Sequence, residues 1–154
     1  MSARPEEVCR LATSKGVFRV SWTAKGLSGL SFPRPGKISV GAAVSARTDS
    51  RHRVLLEDIQ SYFQGHPVAW RTPLDFCNAT AFQRRVWQAI RTIPFGEVRS
   101  YAWLAEAVDH PAAARAVANA CGANPMPILT PCHRIVASGG GLGILLGIGS
   151  STLL

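Results

Sequence analysis

Acidic residues are scarce in this chain of 154 residues. Nine aspartates and glutamates stand against seventeen lysines and arginines, for a net charge of +8 and a pI near 10.2. Lysine is scarcer still, since fourteen of the seventeen basic residues are arginine. Such a balance points to a polyanionic partner, most commonly nucleic acid, although charge alone equally fits a basic enzyme with no such partner. There is no C-x-x-C pair among Cys9, Cys77, Cys121 and Cys132, which excludes a dense disulfide framework and predicts reduced thiols in the cytoplasm or nucleus. No apolar run follows a basic start, so no targeting segment is expected. Charge is absent altogether from the twenty residues after Arg134, yet six glycines with Ser138, Ser150 and Ser151 make that stretch a poor membrane span. It reads as a glycine-rich loop and an incomplete helix.

What is present is apolar content of 47%, enough for the core of one domain or two small ones. Residues 8–32 read as a β-hairpin or meander, with Phe18, Val20 and Trp22 on one strand face and a turn at Lys25-Gly26. Residues 33–52 give no periodic signal and read as loop with one short strand at most. From Arg53 to Gln64, Leu55, Ile59, Tyr62 and Phe63 recur at helical spacing and Gly65 closes the helix. Two short extended pieces broken by Pro73 are expected over Val68–Phe76, and a linker near Asp75–Thr80.

The second half is helical. Thr80 and Gln83 form a capping-box signal, ahead of a stripe of Phe82, Val86, Ala89, Ile90 and Ile93. Ser100 can cap a second helix carrying Tyr101, Leu104, Ala105 and Val108. A three-residue break, Asp109-His110-Pro111, puts proline at the first position of a third helix running to about Gly122, which makes a helix-turn-helix candidate. On that third helix Ala113, Ala116, Val117, Ala120 and Cys121 share the predicted core face, while Arg115 points away among Ala112, Ala118 and Asn119. A face of alanines around a single arginine suits close approach to another surface, here a DNA groove. A packing helix with one solvated arginine is the plainer alternative.

Chemistry concentrates in Asn124-Pro-Met-Pro-Ile-Leu-Thr-Pro-Cys132-His133-Arg134. Pro125, Pro127 and Pro131 fix their own φ and bias each preceding residue away from helix, so a stiff, extended presentation of Cys132 is expected. Cys132 is then a nucleophile candidate, against the reading of a small buried hydrophobe. A Cys-His hydrolase fits poorly, because no histidine comes from a second element and no oxyanion loop is recognisable. Zinc held by Cys121, Cys132 and His133 fits no usual ligand spacing. Neither metal nor cofactor is expected.

Ile93-Pro-Phe-Gly-Glu-Val-Arg-Ser-Tyr101, Leu104-Ala105, Ala114-Arg115-Ala116-Val117, Asn124-Pro125 and Pro131-Cys132-His133-Arg134 together resemble the O6-alkylguanine-DNA alkyltransferase family, the methylated-DNA–protein-cysteine methyltransferases. The resemblance runs from Phe82 to about Gly143. It is fainter at Phe18–Phe32, Tyr62-Phe63-Gln64-Gly65 and Pro73-Leu74-Asp75-Phe76. It implies an α+β chain: a small N-terminal α/β, ribonuclease-H-like supporting domain over residues 1–76, then a helix-turn-helix, winged-helix-like DNA-binding and alkyl-acceptor domain over 77–154. The implied function is direct repair, with one irreversible transfer of an alkyl group from O6-alkylguanine in double-stranded DNA to Cys132 by a monomer.

The same resemblance implies roles. Cys132 is the acceptor, which must act as thiolate, and His133 draws off its proton through a water. Tyr101 donates to the flipped guanine, Asn124 braces the turn before the cysteine loop, and Pro127 and Ile135 line the pocket. Arg115 fills the gap left by base flipping, with Ala114, Asn119 and Ser138 also at the DNA. In the tail, the family's tyrosine is missing, Ser150-Ser151 stand for its basic pair, Leu145 and Leu146 replace polar positions, and the histidine-orienting glutamate would lie beyond Leu154. A lesion-binding protein with impaired transfer is therefore the alternative expectation, against which the retained Cys132 argues.

Overall fold

The computed structural model describes residues 7–33 and 49–137. They fall into two compact units divided between Cys77 and Asn78. The combination of an antiparallel sheet and four helices gives the expected α+β class.

The first unit opens with an antiparallel meander, β1 (Glu7–Thr13), β2 (Gly16–Trp22) and β3 (Leu27–Ser31), in that order. Its register sets Cys9 opposite Val20 and Leu11 opposite Phe18, so the alternation puts one face inward. Phe18, Val20 and Trp22 are buried as the pattern predicts, together with Cys9, Leu11, Leu27 and Leu30. Gly26 lies so close to Pro73 that an added Cβ would sit 2.3 Å from that residue's carbonyl oxygen. Through this contact Leu27 donates to Pro73 O and receives from the Asp75 N–H, at 2.9 and 2.8 Å. Leu74 makes a single parallel bridge to Leu27, so Val68–Phe76 holds one bridge where two extended pieces were expected.

Helix α1 spans Ser50–Phe63 and buries Leu55 and Ile59. It starts three residues before the expected Arg53. Asp49 caps it by accepting from the His52 N–H at 2.9 Å, so residues 50–52, expected as loop, form its first turn. The short strand considered within 33–52 lies largely outside the described residues. Gly65, at φ +84°, takes the left-handed conformation that ends the helix. Buried Asp58 accepts from the Arg71 backbone N–H at 3.1 Å and from its guanidinium at 2.7 and 3.0 Å, tying the returning segment to α1.

The second unit contains α2 (Ala81–Arg91), β4 (Arg99–Ser100), α3 (Tyr101–Ala107), α4 (Ala114–Gly122), a 3₁₀ turn (Cys132–Arg134) and β5 (Ile135–Val136). The capping box at α2 is reciprocal: the Gln83 N–H donates to Thr80 Oγ1 at 3.1 Å and the Thr80 N–H to Gln83 Oε1 at 3.0 Å. Val86, Ile90 and Ile93 are buried as expected; Phe82 and Ala89 are half-buried. Trp87 joins the core and donates from Nε1 to Ala120 O at 2.8 Å, which locks α2 to α4.

The connection between α3 and α4 differs from the expected three-residue break. It runs from Val108 to Ala113, and Pro111 precedes α4 instead of opening it. The Ala113 N–H closes a turn onto His110 O at 2.9 Å with Pro111 second in that turn, a position its fixed φ favours. Helical bonding then starts with Val117 N–H to Ala113 O at 2.9 Å. The inward face of α4 is centred on Val117: Val117 and Ala120 are buried, whereas Ala116, expected in the core, is exposed and Ala118, expected outward, is half-buried. The Gly-rich loop and partial helix expected after Arg134 lie, from residue 138 on, outside the described residues.

Candidate active site

Asn124, just beyond the end of α4, uses its whole side-chain amide. Its oxygen accepts the Met126 N–H at 3.0 Å, and that contact fixes which end of the amide is nitrogen. The nitrogen then donates to Thr130 O at 2.8 Å and to Cys132 Sγ at 3.1 Å. One short side chain thus spans the loop and ends on the sulfur. The Thr130 N–H returns to Met126 O at 3.0 Å, and Met126, Ile128, Leu129 and Thr130 are all at most 1% exposed. Ile128 adopts φ +76°, a conformation that costs a β-branched residue on the order of 1–3 kcal/mol and persists only where the surroundings enforce it.

Cys132 is presented by tight turns, not by the expected extended segment. Pro131, at φ −80° and ψ 68°, sits at the centre of an inverse γ-turn in which the Cys132 N–H meets Thr130 O at 2.8 Å. The 3₁₀ turn follows at once, closed by Arg134 N–H to Pro131 O at 3.0 Å. Proline both stiffens the approach and, having no N–H, leaves no donor unmet. Arg134 anchors the far side by donating to Ile93 O at 2.9 Å, its guanidinium 5.6 Å from the Phe95 ring centroid.

Four ionisable groups share this corner with Asn124. The thiol of Cys121, in the last turn of α4, lies against that of Cys132. This neighbour, then burial, holds the Cys132 thiol well above the ordinary cysteine value, and only the Asn124 amide pulls it down. Tyr101, first residue of α3 behind its Ser100 cap (Trp103 N–H to Oγ, 3.0 Å), is half-buried. Burial, then the charges of Cys121 and Cys132, raise its phenol. Half-buried His133 is lowered to about 4 by burial and then by the Arg134 charge, so its ring is neutral at pH 7.

The structure therefore brings together Cys132, Asn124 and Tyr101, and sets His133 beside them in the turn. Pro127, half-buried, belongs to the same loop, and buried Ile135 follows the turn directly. Ala114, Arg115 and Asn119 lie apart from that corner, on the exposed side of α4 with Ala112 and Ala116. Ser138 lies outside the described residues. Cys121 was expected as a core residue, with a zinc-ligand role set aside; its contact with Cys132 depends on where α4 ends relative to the 3₁₀ turn and had no local signal in the sequence. Among the described residues no group of three or more histidines, cysteines and acids could hold a metal, and no helix is long and apolar enough to cross a membrane.

Residues 81–150 match the family model described as the DNA-binding domain of 6-O-methylguanine DNA methyltransferase. Over 92% of its length the chain resembles, at 30% identity and a TM-score of 0.72, the structure of Mycobacterium tuberculosis OGT in complex with DNA, covering 83% of that chain. The chain belongs to the O6-methylguanine-DNA methyltransferase family. It is also 47% identical over 94 residues to the methylated-DNA–protein-cysteine methyltransferase of Mycobacterium leprae, covering 61% of this chain and 54% of that one. With the bifunctional transcriptional activator/DNA repair enzyme Ada of Escherichia coli the identity is 57% over 101 residues, covering 66% and 28% respectively. The chain thus spans about half the length, or less, of these curated relatives. A structure from Pyrococcus kodakaraensis at 23% identity and a TM-score of 0.58 shares the fold.

Proposed function

We propose that this protein repairs DNA by direct reversal, moving the alkyl group of O6-alkylguanine onto Cys132 in a single irreversible event. The observation that carries this reading is the Asn124 amide on Cys132 Sγ at 3.1 Å, a donor aimed at the one atom that must become an anion. The sulfur attacks the alkyl carbon, the carbon–O6 bond breaks, and guanine leaves with its electrons on O6 while the Tyr101 hydroxyl donates to the departing base. His133, neutral at rest, is the acceptor for the thiol proton. In the unliganded protein the proton stays on sulfur, so the nucleophile is quiet until a substrate occupies the site. The alkyl thioether so formed is stable to water, even with proton donors such as Tyr101 and His133 beside it, and each molecule acts once.

Reaching O6 requires the base to leave the stack. The exposed face of α4 supports that task, since Ala114 and Ala116, with Ala112 just ahead of the helix, allow close approach and Arg115 is long enough to occupy the emptied position. Asn119 shares this face, and Ser138 is assigned to DNA contact by the sequence resemblance. Pro127 and Ile135 are assigned to the guanine pocket. Residues 1–76 act as the supporting domain and 77–154 as the DNA-binding and acceptor domain of an intracellular monomer.

The test is to mix the purified protein with a duplex bearing O6-methylguanine and weigh it intact. A gain of one methyl that maps to Cys132 and is absent from Cys132→Ala is the expected result. Lesion-preferring binding with no mass gain would instead make the protein a binder without transfer.

A further inference from the structure

Cys121 takes no part in the transfer described above, yet its thiol lies against the acceptor. The two cysteines come from separate elements, the last turn of α4 and the 3₁₀ turn, and Asn124 grips both. Its backbone N–H donates to Cys121 O at 3.3 Å and its side chain to Cys132 Sγ at 3.1 Å. Both are free thiols and both keep partial access to solvent. The other two cysteines belong to the first unit, Cys9 buried and Cys77 exposed. A partly accessible nucleophilic cysteine with a second thiol beside it is the arrangement in which sulfur oxidation stops at a disulfide instead of proceeding to irreversible acids.

We propose that Cys121 and Cys132 form a reversible oxidation site, in which Cys121 meets the oxidant, a hydroperoxide, and Cys132 is the resolving thiol. The Cys121 sulfur, whose thiol is lowered by the hydrogen bond with Cys132 while that of Cys132 is raised, attacks one peroxide oxygen and the O–O bond breaks. The distal oxygen leaves as water or an alcohol with the Cys121 proton, and Cys121 becomes a sulfenic acid. Cys132 sulfur then attacks that sulfur, displacing hydroxide, which departs as water with the Cys132 proton. Two thiols are oxidised, one peroxide is reduced, and a dithiol reductant reverses the result. On the function proposed above, this matters because an acceptor that works once cannot be replaced within the same molecule. The disulfide would hold it unreactive but recoverable.

The experiment uses the full chain, hydrogen peroxide and intact mass under denaturing, non-reducing conditions. Wild type is expected to lose the mass of two hydrogens and half of its four titratable thiols, with a peptide map linking residue 121 to 132 and full recovery in dithiothreitol. Cys77→Ser should behave as wild type. Cys132→Ala should instead gain two or three oxygens at Cys121 and fail to recover. Oxygen gained at Cys121 in wild type without loss of hydrogens, a link through Cys9 or Cys77, or full recovery of Cys132→Ala would each overturn the proposal. These readouts need no DNA. Absence of methyl transfer by the fully reduced protein would count against the proposed function while leaving the disulfide result standing.

Discussion

The side-chain nitrogen of Asn124 lies 3.1 Å from Cys132 Sγ while its oxygen holds the Met126 N–H. Asn124→Ala removes both ends and the bond to Thr130 O, and should destabilise the protein by about 2–4 kcal/mol, since buried partners are left unmet. Asn124→Asp keeps the Met126 bond but sets an anion against the sulfur. That anion also faces the Thr130 carbonyl, so the aspartate variant should be no more stable than Asn124→Ala, and the slower at methyl transfer. Denaturant unfolding and timed mass spectrometry separate the two effects; an aspartate variant as fast as wild type would remove Asn124 from the chemistry.

His133 titrates near 4 in the folded protein against 6.5 when unhindered. Between those values the unfolded chain binds a proton that the folded chain refuses. Stability from this residue is complete above about pH 6.5 and is lost as the pH falls toward 4, by on the order of 2–3 kcal/mol. Urea midpoints at neutral and acid pH should show the decline, and His133→Gln should flatten it. An equally steep decline in the variant would place its origin elsewhere.

Ile128 combines a buried side chain with φ +76°. Ile128→Ala should cost about 2–4 kcal/mol through the cavity it leaves. Glycine removes the same atoms but accepts the backbone conformation freely, so Ile128→Gly should be no less stable than Ile128→Ala. That reverses the usual order of the two residues. Thermal unfolding of both variants checks it.

Arg115→Ala tests the flipping role by comparing substrates. Transfer from a duplex should slow at least about tenfold, a loss of roughly 1.4 kcal/mol of transition-state stabilisation. Transfer from the free O6-alkylguanine base should be unchanged, because nothing then needs to be extruded. Equal slowing on both would mean that Arg115 supports the pocket and not the stack. Duplex binding should weaken with added salt in both proteins.

Local chemistry made much of the second unit legible. The Thr80–Gln83 box and the Ser100 cap are written in adjacent residues and appear where expected. Pro111 misled because proline suits the second position of a turn as well as the first turn of a helix, and only the His110–Ala113 bond decides between them. Ala116 was misplaced for another reason: on a helix made mostly of alanines the apolar stripe has no sharp edge, and only the packing shows which small residues it takes in. Asp49 was passed over because no periodic residue precedes Ser50 to announce a helix. In the site, Asn124 and Cys132 could be named from their motif. The Cys121 contact depends on where α4 ends relative to the 3₁₀ turn, a tertiary fact with no local signature.

The two-residue ladder of Arg99 with Ile135 and Ser100 with Val136 joins chain segments on either side of the whole stretch that carries Tyr101, α4 and Cys132. Closing so large a loop is a late and cooperative step, because its entropy is lost before its contacts are gained. A nascent chain therefore exposes an ordinary cysteine, and the poised one exists only after the last strand has found its place.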